Sequence, residues 1–271
     1  MSLQAGFCSK NAGFRLLCIR EREILLLISV LRNAFSGQGL DLMSVIASIL
    51  ASLLVIFVML PFHEFAHATV AGWFGDKTAK MLGRQTLNPL KHIDYVGALL
   101  LLLFGFGWAK PVPVNLDHRK NPKGAMAVVA LAGPLANLLA GIVGGLLINL
   151  VLAIDPMALL IFSGKSVGIL SYIVLFLYYF MAINISLAVF NLIPIPPLDG
   201  SKILMAFLPN RICYQIQRNE AMISMILMIA IAFGAFSGPL SVAQSWLTSG
   251  ILNLTALPFS GSPFNPNFSL L

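Results

Sequence analysis

Long apolar blocks separated by short polar segments make up most of this chain after its first 40 residues. A membrane-spanning helix needs about 20 apolar residues, and lipid offers no hydrogen-bond partner to exposed backbone, so such blocks must be helical. The pattern predicts an all-α polytopic membrane protein with about five to six transmembrane helices. The predicted spans are 42–74, 125–154, 167–193 and 221–236, with a further helix near 198–208 and a tail after Gly238 whose orientation the pattern does not give.

One apolar block is too short to cross a bilayer. Residues 96–108 are interrupted by Gly97, Gly105 and Gly107. At about 1.5 Å per residue the block falls well short of a hydrocarbon core of about 30 Å, so it is predicted to be re-entrant. The basic loops on either side of it, 75–94 and 109–124, would then lie on one side of the membrane, which the positive-inside rule makes cytoplasmic.

The first 40 residues form an uncertain N-terminal extension. Residues 24–31 are apolar but too short to span, and Arg20, Arg22 and Arg32 flank them. An interfacial helix is one interpretation of this stretch, and a start codon placed upstream of the true one is another. Residues 41–271 are predicted to form a single membrane-embedded domain, because no loop is long enough to hold a soluble one.

Composition agrees with the membrane assignment. Of the 271 residues, 58% are hydrophobic and only 10% charged, whereas soluble domains carry roughly 25% charged residues. The net charge of +7 comes from basic residues in short loops, which indicates topology rather than nucleic-acid binding, so no nucleic-acid partner is expected. Cys8, Cys18 and Cys213 are widely separated and lack metal-ligand spacing.

The clearest chemical motif is His63-Glu64-Phe65-Ala66-His67, which follows directly on an apolar run. Residues four apart share one face of a helix, so the two imidazoles can bind one zinc ion. The adjacent Glu64 can then take a proton from the water that the zinc activates. Ionisable residues at membrane depth are costly and functional by default, which argues against an accidental pattern.

A catalytic zinc site of this kind needs a third protein ligand. The candidate is Asp199, in the segment NLIPIPPLDG, where three prolines and a glycine break the helix after a long apolar block. Such a break can present a carboxylate to a polar cavity. Spacing alone allows equally that Asp199 caps the following helix through backbone amides.

HEFAH and NLIPIPPLDG together resemble the site-2 protease family of intramembrane zinc metalloproteases. The segments GRQTLNPLKHID (83–94), GWAKPVPVN (107–115) and AGPLAN (132–137) are similar to its short bacterial branch, which lacks PDZ and CBS domains. The resemblance covers roughly 42–208. It implies that Asp199 is the third ligand of one Zn²⁺ per chain, and that the protein lies in the bacterial inner (cytoplasmic) membrane with its active site nearer the cytoplasm.

Asn137 lies inside a predicted span. The resemblance implies that its side-chain amide supports the oxyanion or holds the substrate backbone. The alternative is an interhelical hydrogen bond beside the small residues Gly133 and Ala136.

Two loop features receive weaker interpretations. His92 and Asp94 are predicted to anchor the re-entrant segment rather than bind metal. The segment Lys110–Asn115 has the alternating prolines of an edge strand, which could hold an unwound substrate by strand addition, although a plain extended linker fits equally well.

These features predict a zinc metalloendopeptidase acting within or near transmembrane segments of single-span substrates in the lipid bilayer. The resemblance suggests regulated intramembrane proteolysis or clearance of signal-peptide remnants. Two alternatives remain: a catalytically inactive membrane scaffold or binding protein, and a membrane zinc hydrolase of lipid amides or esters. The sequence indicates neither the substrate nor the oligomeric state.

Overall fold

The computed structural model describes residues 42–104, 109–116, 119–165, 168–232 and 234–259. These ranges are mostly helical and contain no β-strand, which confirms the all-α prediction for them. The predictions for residues 1–40, for Gly105 and Gly107, and for the end of the tail lie outside the described residues. The helices are α1 (Leu42–Leu54), α2 (Leu60–Trp73), α3 (Thr78–Met81), α4 (Pro89–His92), α5 (Tyr95–Phe104), α6 (Pro122–Ile154), α7 (Ile169–Asn191), α8 (Asp199–Met205), α9 (Asn210–Arg218), α10 (Glu220–Ala232) and α11 (Ser237–Ala256).

Within the described residues, three helical stretches are long and apolar enough to cross a membrane: Leu42–Trp73, Pro122–Ile154 and Ile169–Asn191. They coincide with three of the predicted spans. The apolar stretch in α10 is shorter than a usual span. The chain is therefore an integral membrane protein by these helices, while the total of five to six spans and the re-entrant path of α5 stay predictions.

A π-helical turn, Val55–Met59, joins α1 to α2 within the first of these stretches. The N–H of Leu60 donates to the carbonyl of Val55, five residues back. Pro61 follows immediately, and a proline removes one backbone donor and crowds the carbonyl four residues before it. The π-helical turn thus lies where Pro61 disfavours regular α-helical hydrogen bonding, directly before the histidine motif.

Helix α6 is the centre of the packing, with α2, α7, α8 and α11 against it. Its small residues permit close approach: a Cβ added to Gly141 would lie 3.0 Å from Ile185 of α7, and one on Gly145 would lie 2.8 Å from Ile251 of α11. Small residues spaced four apart commonly form such contacts between membrane helices. Asn149 strengthens the contact, since its amide donates to the hydroxyl of Thr255 over 2.8 Å.

The outer face of α6 is apolar as well. Leu139, Val143, Leu150 and Ile154 recur at helical spacing and are between 46% and 70% exposed. A helix that is apolar on its packed and its exposed faces is typical of a membrane span. The exposed stripe is the surface that lipid would cover.

The segment Lys110–Asn115, here called the strap, is not a strand. Among the described residues, one isolated bridge between Ile93 and Ala109 is all that represents β-pairing. The edge-strand prediction is therefore wrong as secondary structure, although the strap has no helix either. The reason is that prolines have no N–H to pair, and that the amides of Val112 and Asn115 donate to carboxylates of other segments instead of to a neighbouring strand.

Candidate active site

The two histidines of the motif meet on one face of α2, as their spacing predicts. Nε2 of His63 lies 3.1 Å from Nε2 of His67, and both side chains are buried. Residues four apart lie on one face of a helix, one above the other, so both imidazoles can reach the same point.

Asp199 reaches the same point from 132 residues further along the chain. Its Oδ2 lies 3.1 Å from Nε2 of His67 and 3.3 Å from Nε2 of His63, while Oδ1 accepts a hydrogen bond from Nζ of Lys202 over 3.1 Å. Asp199 is the first residue of α8, and Leu198 occupies the capping position. The capping alternative is therefore wrong, because the carboxylate faces the imidazoles and not the backbone amides of α8.

These three side chains fit a zinc ion. In a tetrahedral site with bonds of about 2.0–2.1 Å, neighbouring ligand atoms lie roughly 3.3–3.4 Å apart, close to the separations of His63, His67 and Asp199. Two imidazole nitrogens and a carboxylate oxygen are the usual ligand set of catalytic zinc. The lone pairs of these three ligand atoms would repel one another unless a cation lay between them. The cluster is therefore compatible with zinc binding.

The backbone of α6 orients one of these ligands. Nδ1 of His67 donates a hydrogen bond to the carbonyl of Val129 over 2.7 Å. A carbonyl can only accept, so Nδ1 carries a proton, and in the neutral imidazole the lone pair is then on Nε2, which faces the cluster. Histidines that bind metals are commonly oriented through their second nitrogen in this way.

Gly133 of α6 packs directly against both imidazoles. A Cβ at this position would overlap the rings of His63 and His67. From the sequence, Gly133 was only a small residue near Asn137, and its contact with the imidazoles was not foreseen. Its place in AGPLAN was the available signal, but that motif does not say which helix packs there.

Glu64 is buried beside the histidines and lines the same cavity. The cavity measures about 450 Å³, and α2, α6, α7, α8, α10 and the strap contribute to its wall. Oε2 of Glu64 accepts a hydrogen bond from the backbone N–H of Val112 in the strap, over 2.8 Å. The arrangement places a carboxylate and the ligand cluster on one apolar cavity.

Asn137 lies four residues after Gly133 and is fully buried in α6. Neither its amide nitrogen nor its oxygen has a hydrogen-bond partner among the described residues. It is not among the residues that line the cavity. A contact with substrate or with the oxyanion therefore stays a prediction for Asn137.

His92 and Asp94 lie apart from the ligand cluster. The buried His92 donates through Nε2 to the carbonyl of Thr86 over 2.8 Å. Oδ1 of Asp94 accepts from the backbone N–H of Val96 and Gly97 at the start of α5. Both residues thus hold the loop and the short helix after it, in line with the anchoring role expected from the sequence.

Comparisons with known proteins agree with this geometry. The model of the family described as Peptidase family M50 matches residues 51–235. The chain is 42% identical over 167 residues to "Putative zinc metalloprotease YwhC" of Bacillus subtilis (strain 168), covering 62% of this chain and 72% of that protein. It is 32% identical over 187 residues to "Putative zinc metalloprotease MJ0611" of Methanocaldococcus jannaschii, covering 68% of this chain and 84% of that protein.

A further relative, "Putative zinc metalloprotease Rip2" of Mycolicibacterium smegmatis, is 33% identical over 144 residues, 51% of this chain and 49% of that protein. No solved structure matches the chain. The family match covers both α2 with its histidines and Asp199 at the start of α8, so the resemblance drawn from the motifs is confirmed. This chain belongs to peptidase family M50, the site-2 protease family.

Proposed function

We propose that this protein is an intramembrane zinc endopeptidase that hydrolyses peptide bonds within or near the transmembrane segments of single-span membrane proteins. The observation that carries the proposal is the convergence of His63, His67 and Asp199 beside Glu64 on one apolar cavity. Two of the three ligands and Glu64 belong to a helical stretch long enough to cross a membrane.

Each residue has a separate task. His63, His67 and Asp199 would hold the zinc ion, which when bound would act as a Lewis acid toward the scissile carbonyl and the attacking water. Glu64 accepts the proton that the water gives up on attack and returns it to the leaving amine. Lys202 holds Oδ1 of Asp199, which leaves Oδ2 directed at the imidazoles.

Family membership favours a peptide substrate over a lipid, and the cavity has an extended wall along which a peptide can lie. Pro111, Val112 and Val114 of the strap line the cavity, so an extended backbone runs along one of its sides. Because the amides of Val112 and Asn115 already donate to Glu64 and Asp76, a substrate would lie against this side through side-chain contacts rather than by strand addition. The preference for a peptide rests on the family, which is described as a peptidase family. By analogy with the family, the proposed uses are regulated intramembrane proteolysis and the clearance of signal-peptide remnants.

The charge distribution supports an active site near the cytoplasmic face of the membrane, and the resemblance to the short bacterial branch supports a bacterial inner membrane. His67 lies six residues before the end of α2 at Trp73, and a basic loop follows that end. At about 1.5 Å per residue, the histidine is roughly 9 Å from the end of the helix. Since basic loops mark the cytoplasmic side, substrates would be cut close to that surface. Labelling of single cysteines placed in 75–94 from either side of sealed vesicles tests this orientation.

The function itself is tested with purified protein in lipid vesicles and a single-span substrate. Glu64→Gln keeps the size and polarity of the side chain but removes the base, so cleavage should fall by about 10³-fold. Zinc content, measured per chain, should not change, because the ligand cluster is intact. Glu220→Gln, the same change at an exposed position, is the matched control and should cleave as the parent does.

Cleavage by Glu64→Gln at the parental rate would rule out this mechanism. Zinc binding with no cleavage of any single-span substrate would favour a scaffold. Release of fatty acid from the vesicle lipids, lost in Glu64→Gln, would identify a lipid amide or ester hydrolase instead.

A further inference from the structure

We propose that the strap positions Glu64 for catalysis through the backbone amide of Val112, and that Arg84 and Asp76 hold the strap in place. The proposal rests on the proposed function, in which Glu64 is the base, and adds residues that act through Glu64 or through the strap. Val112, Arg84 and Asp76 are therefore positioning residues.

The contact with Glu64 is short and shielded from solvent. The N–H of Val112 donates to Oε2 over 2.8 Å, and both residues are buried. A hydrogen bond to a charged group is stronger than one between neutral groups, and more so where water is excluded. This bond engages one carboxylate oxygen, so Oε1 is left to take the proton from water.

The strap is held at its first residues by Arg84 and by the backbone near α4. Nη2 of Arg84 donates to the carbonyls of Lys110 and Pro111, over 2.9 and 3.2 Å. The N–H of Lys110 donates to the carbonyl of His92 over 2.7 Å. These bonds fix the chain on one side of Val112.

Asp76 holds the other end of the strap. This buried carboxylate follows α2, the helix that carries Glu64, and its Oδ2 accepts from the N–H of Asn115 over 2.7 Å. Its Oδ1 accepts from the N–H of Thr78 over 2.8 Å. Asp76 therefore ties the strap to the chain that leaves the active-site helix.

The composition of the strap suits a rigid support. Pro111 and Pro113 flank Val112, and a proline favours an extended conformation both for itself and for the residue before it. The backbone is thus ordered in advance, and holding Glu64 costs little further entropy. Without the hydrogen bond from Val112, the side chain of Glu64 would populate several rotamers, and some of them would point away from the attacking water.

The flanking prolines also allow a clean test of a backbone donor. Val112→Pro removes the N–H while keeping the extended conformation, and Val112→Ala removes the side chain while keeping the N–H. We expect kcat of Val112→Pro to be about tenfold or more below that of Val112→Ala, with similar KM values and the same zinc content per chain. A substitution that merely disturbed the fold would lower zinc content or raise KM as well.

Hydrogen exchange tests the contact without measuring activity. Apart from its prolines, the strap has four backbone amides, at Lys110, Val112, Val114 and Asn115. Glu64→Ala removes the acceptor of Val112, whereas Glu64→Gln keeps an acceptor oxygen. We expect one strap amide to exchange faster in Glu64→Ala than in Glu64→Gln, as measured by mass spectrometry of the strap peptide.

Equal kcat values in the proline and alanine variants would overturn the proposal, as would equal exchange of the strap in the two Glu64 variants. Both failures are separate from failure of the proposed function. If Glu64→Gln is inactive while Val112→Pro matches Val112→Ala, the protease mechanism stands and only the positioning role falls. If the parent and Glu64→Gln cleave alike, the mechanism itself is wrong.

Discussion

The two sides of the cavity, the ligand cluster and the strap, are built in different ways. The ligand side chains of His63, His67 and Asp199 belong to helices α2 and α8, which pack against α6. The strap has no regular secondary structure and is held by individual hydrogen bonds from its backbone to side chains of other segments. One side is therefore fixed by helix packing, and the other by a few polar contacts.

This difference separates two parts of the proposed chemistry. The positions of the metal ligands depend on how closely α2, α6 and α8 approach, so damage there should cost metal. The orientation of Glu64 depends on the strap, so damage there should cost rate while the metal stays bound. Substitutions on either side should therefore lower cleavage, but only those on the ligand side should also lower zinc content.

The largest effect is expected from Asp199→Ala. Removing one of three protein ligands leaves an incomplete site, so zinc should fall from about one per chain to a small fraction of that, and cleavage should be lost. Metal analysis of the purified protein, without chelator and with added zinc, measures this directly.

Asp155→Ala is the matched control for that experiment. Asp155 is an acidic residue at the end of α6 and accepts from the N–H of Met157, away from the cluster. Without the capping hydrogen bond to Met157, the free energy of unfolding should fall by about 1 kcal/mol, and the zinc content should not change. Near-parental zinc in Asp199→Ala would mean that a different residue completes the site.

A smaller but still clear loss of metal is expected from Gly133→Ala. The added methyl group would overlap both imidazoles and force α2 and α6 apart. Displacing ligands through their surroundings typically lowers metal affinity by about 10–100-fold, which a competition titration with a zinc chelator can resolve.

Gly72→Ala serves as the comparison for Gly133→Ala. Gly72 lies on α2 like the two histidines, and a Cβ there would meet nothing within 4 Å. Its zinc affinity should match the parent. If both alanine variants bind zinc equally well, close packing of α6 against the imidazoles does not set the site.

The smallest effect is expected on the strap side, from Asp76→Asn. Both oxygens of Asp76 accept backbone N–H groups, whereas an asparagine has one acceptor oxygen and turns an amide group toward the other donor. Loosening one end of the strap should lower kcat by about tenfold or less, with zinc content unchanged. Loss of zinc in this variant would contradict the separation between the two sides.

Much of the site could be read from the chain because its information is local. The spacing of His63 and His67 places both nitrogens on one helical face whatever surrounds them, and the apolar block before them predicts a span. The three long candidate spans were likewise predicted from hydrophobicity. In contrast, a third ligand 132 residues away was readable only through its motif, and spacing left the capping alternative open.

The strap shows why the remaining features could not be predicted. Its prolines indicated extended backbone, but the strand prediction assumed a neighbouring strand for the amides of Val112 and Asn115. Their partners are Glu64 and Asp76, from another segment, and no periodicity in the strap identifies them. Hydrogen bonds between distant segments depend on the docking of whole elements, which a local pattern does not contain.

The sequence by itself determined the membrane class, the metal-binding face of α2 and the break in the helix before Asp199, since each follows from hydrophobicity or backbone chemistry over a few residues. The tertiary structure alone decided three further features. These are the turning of Asp199 toward the imidazoles, the contact of Gly133 with both rings, and the attachment of the strap to Glu64. The physical reason is that close packing and hydrogen bonds between segments are short-ranged, so they exist only once the helices have come together.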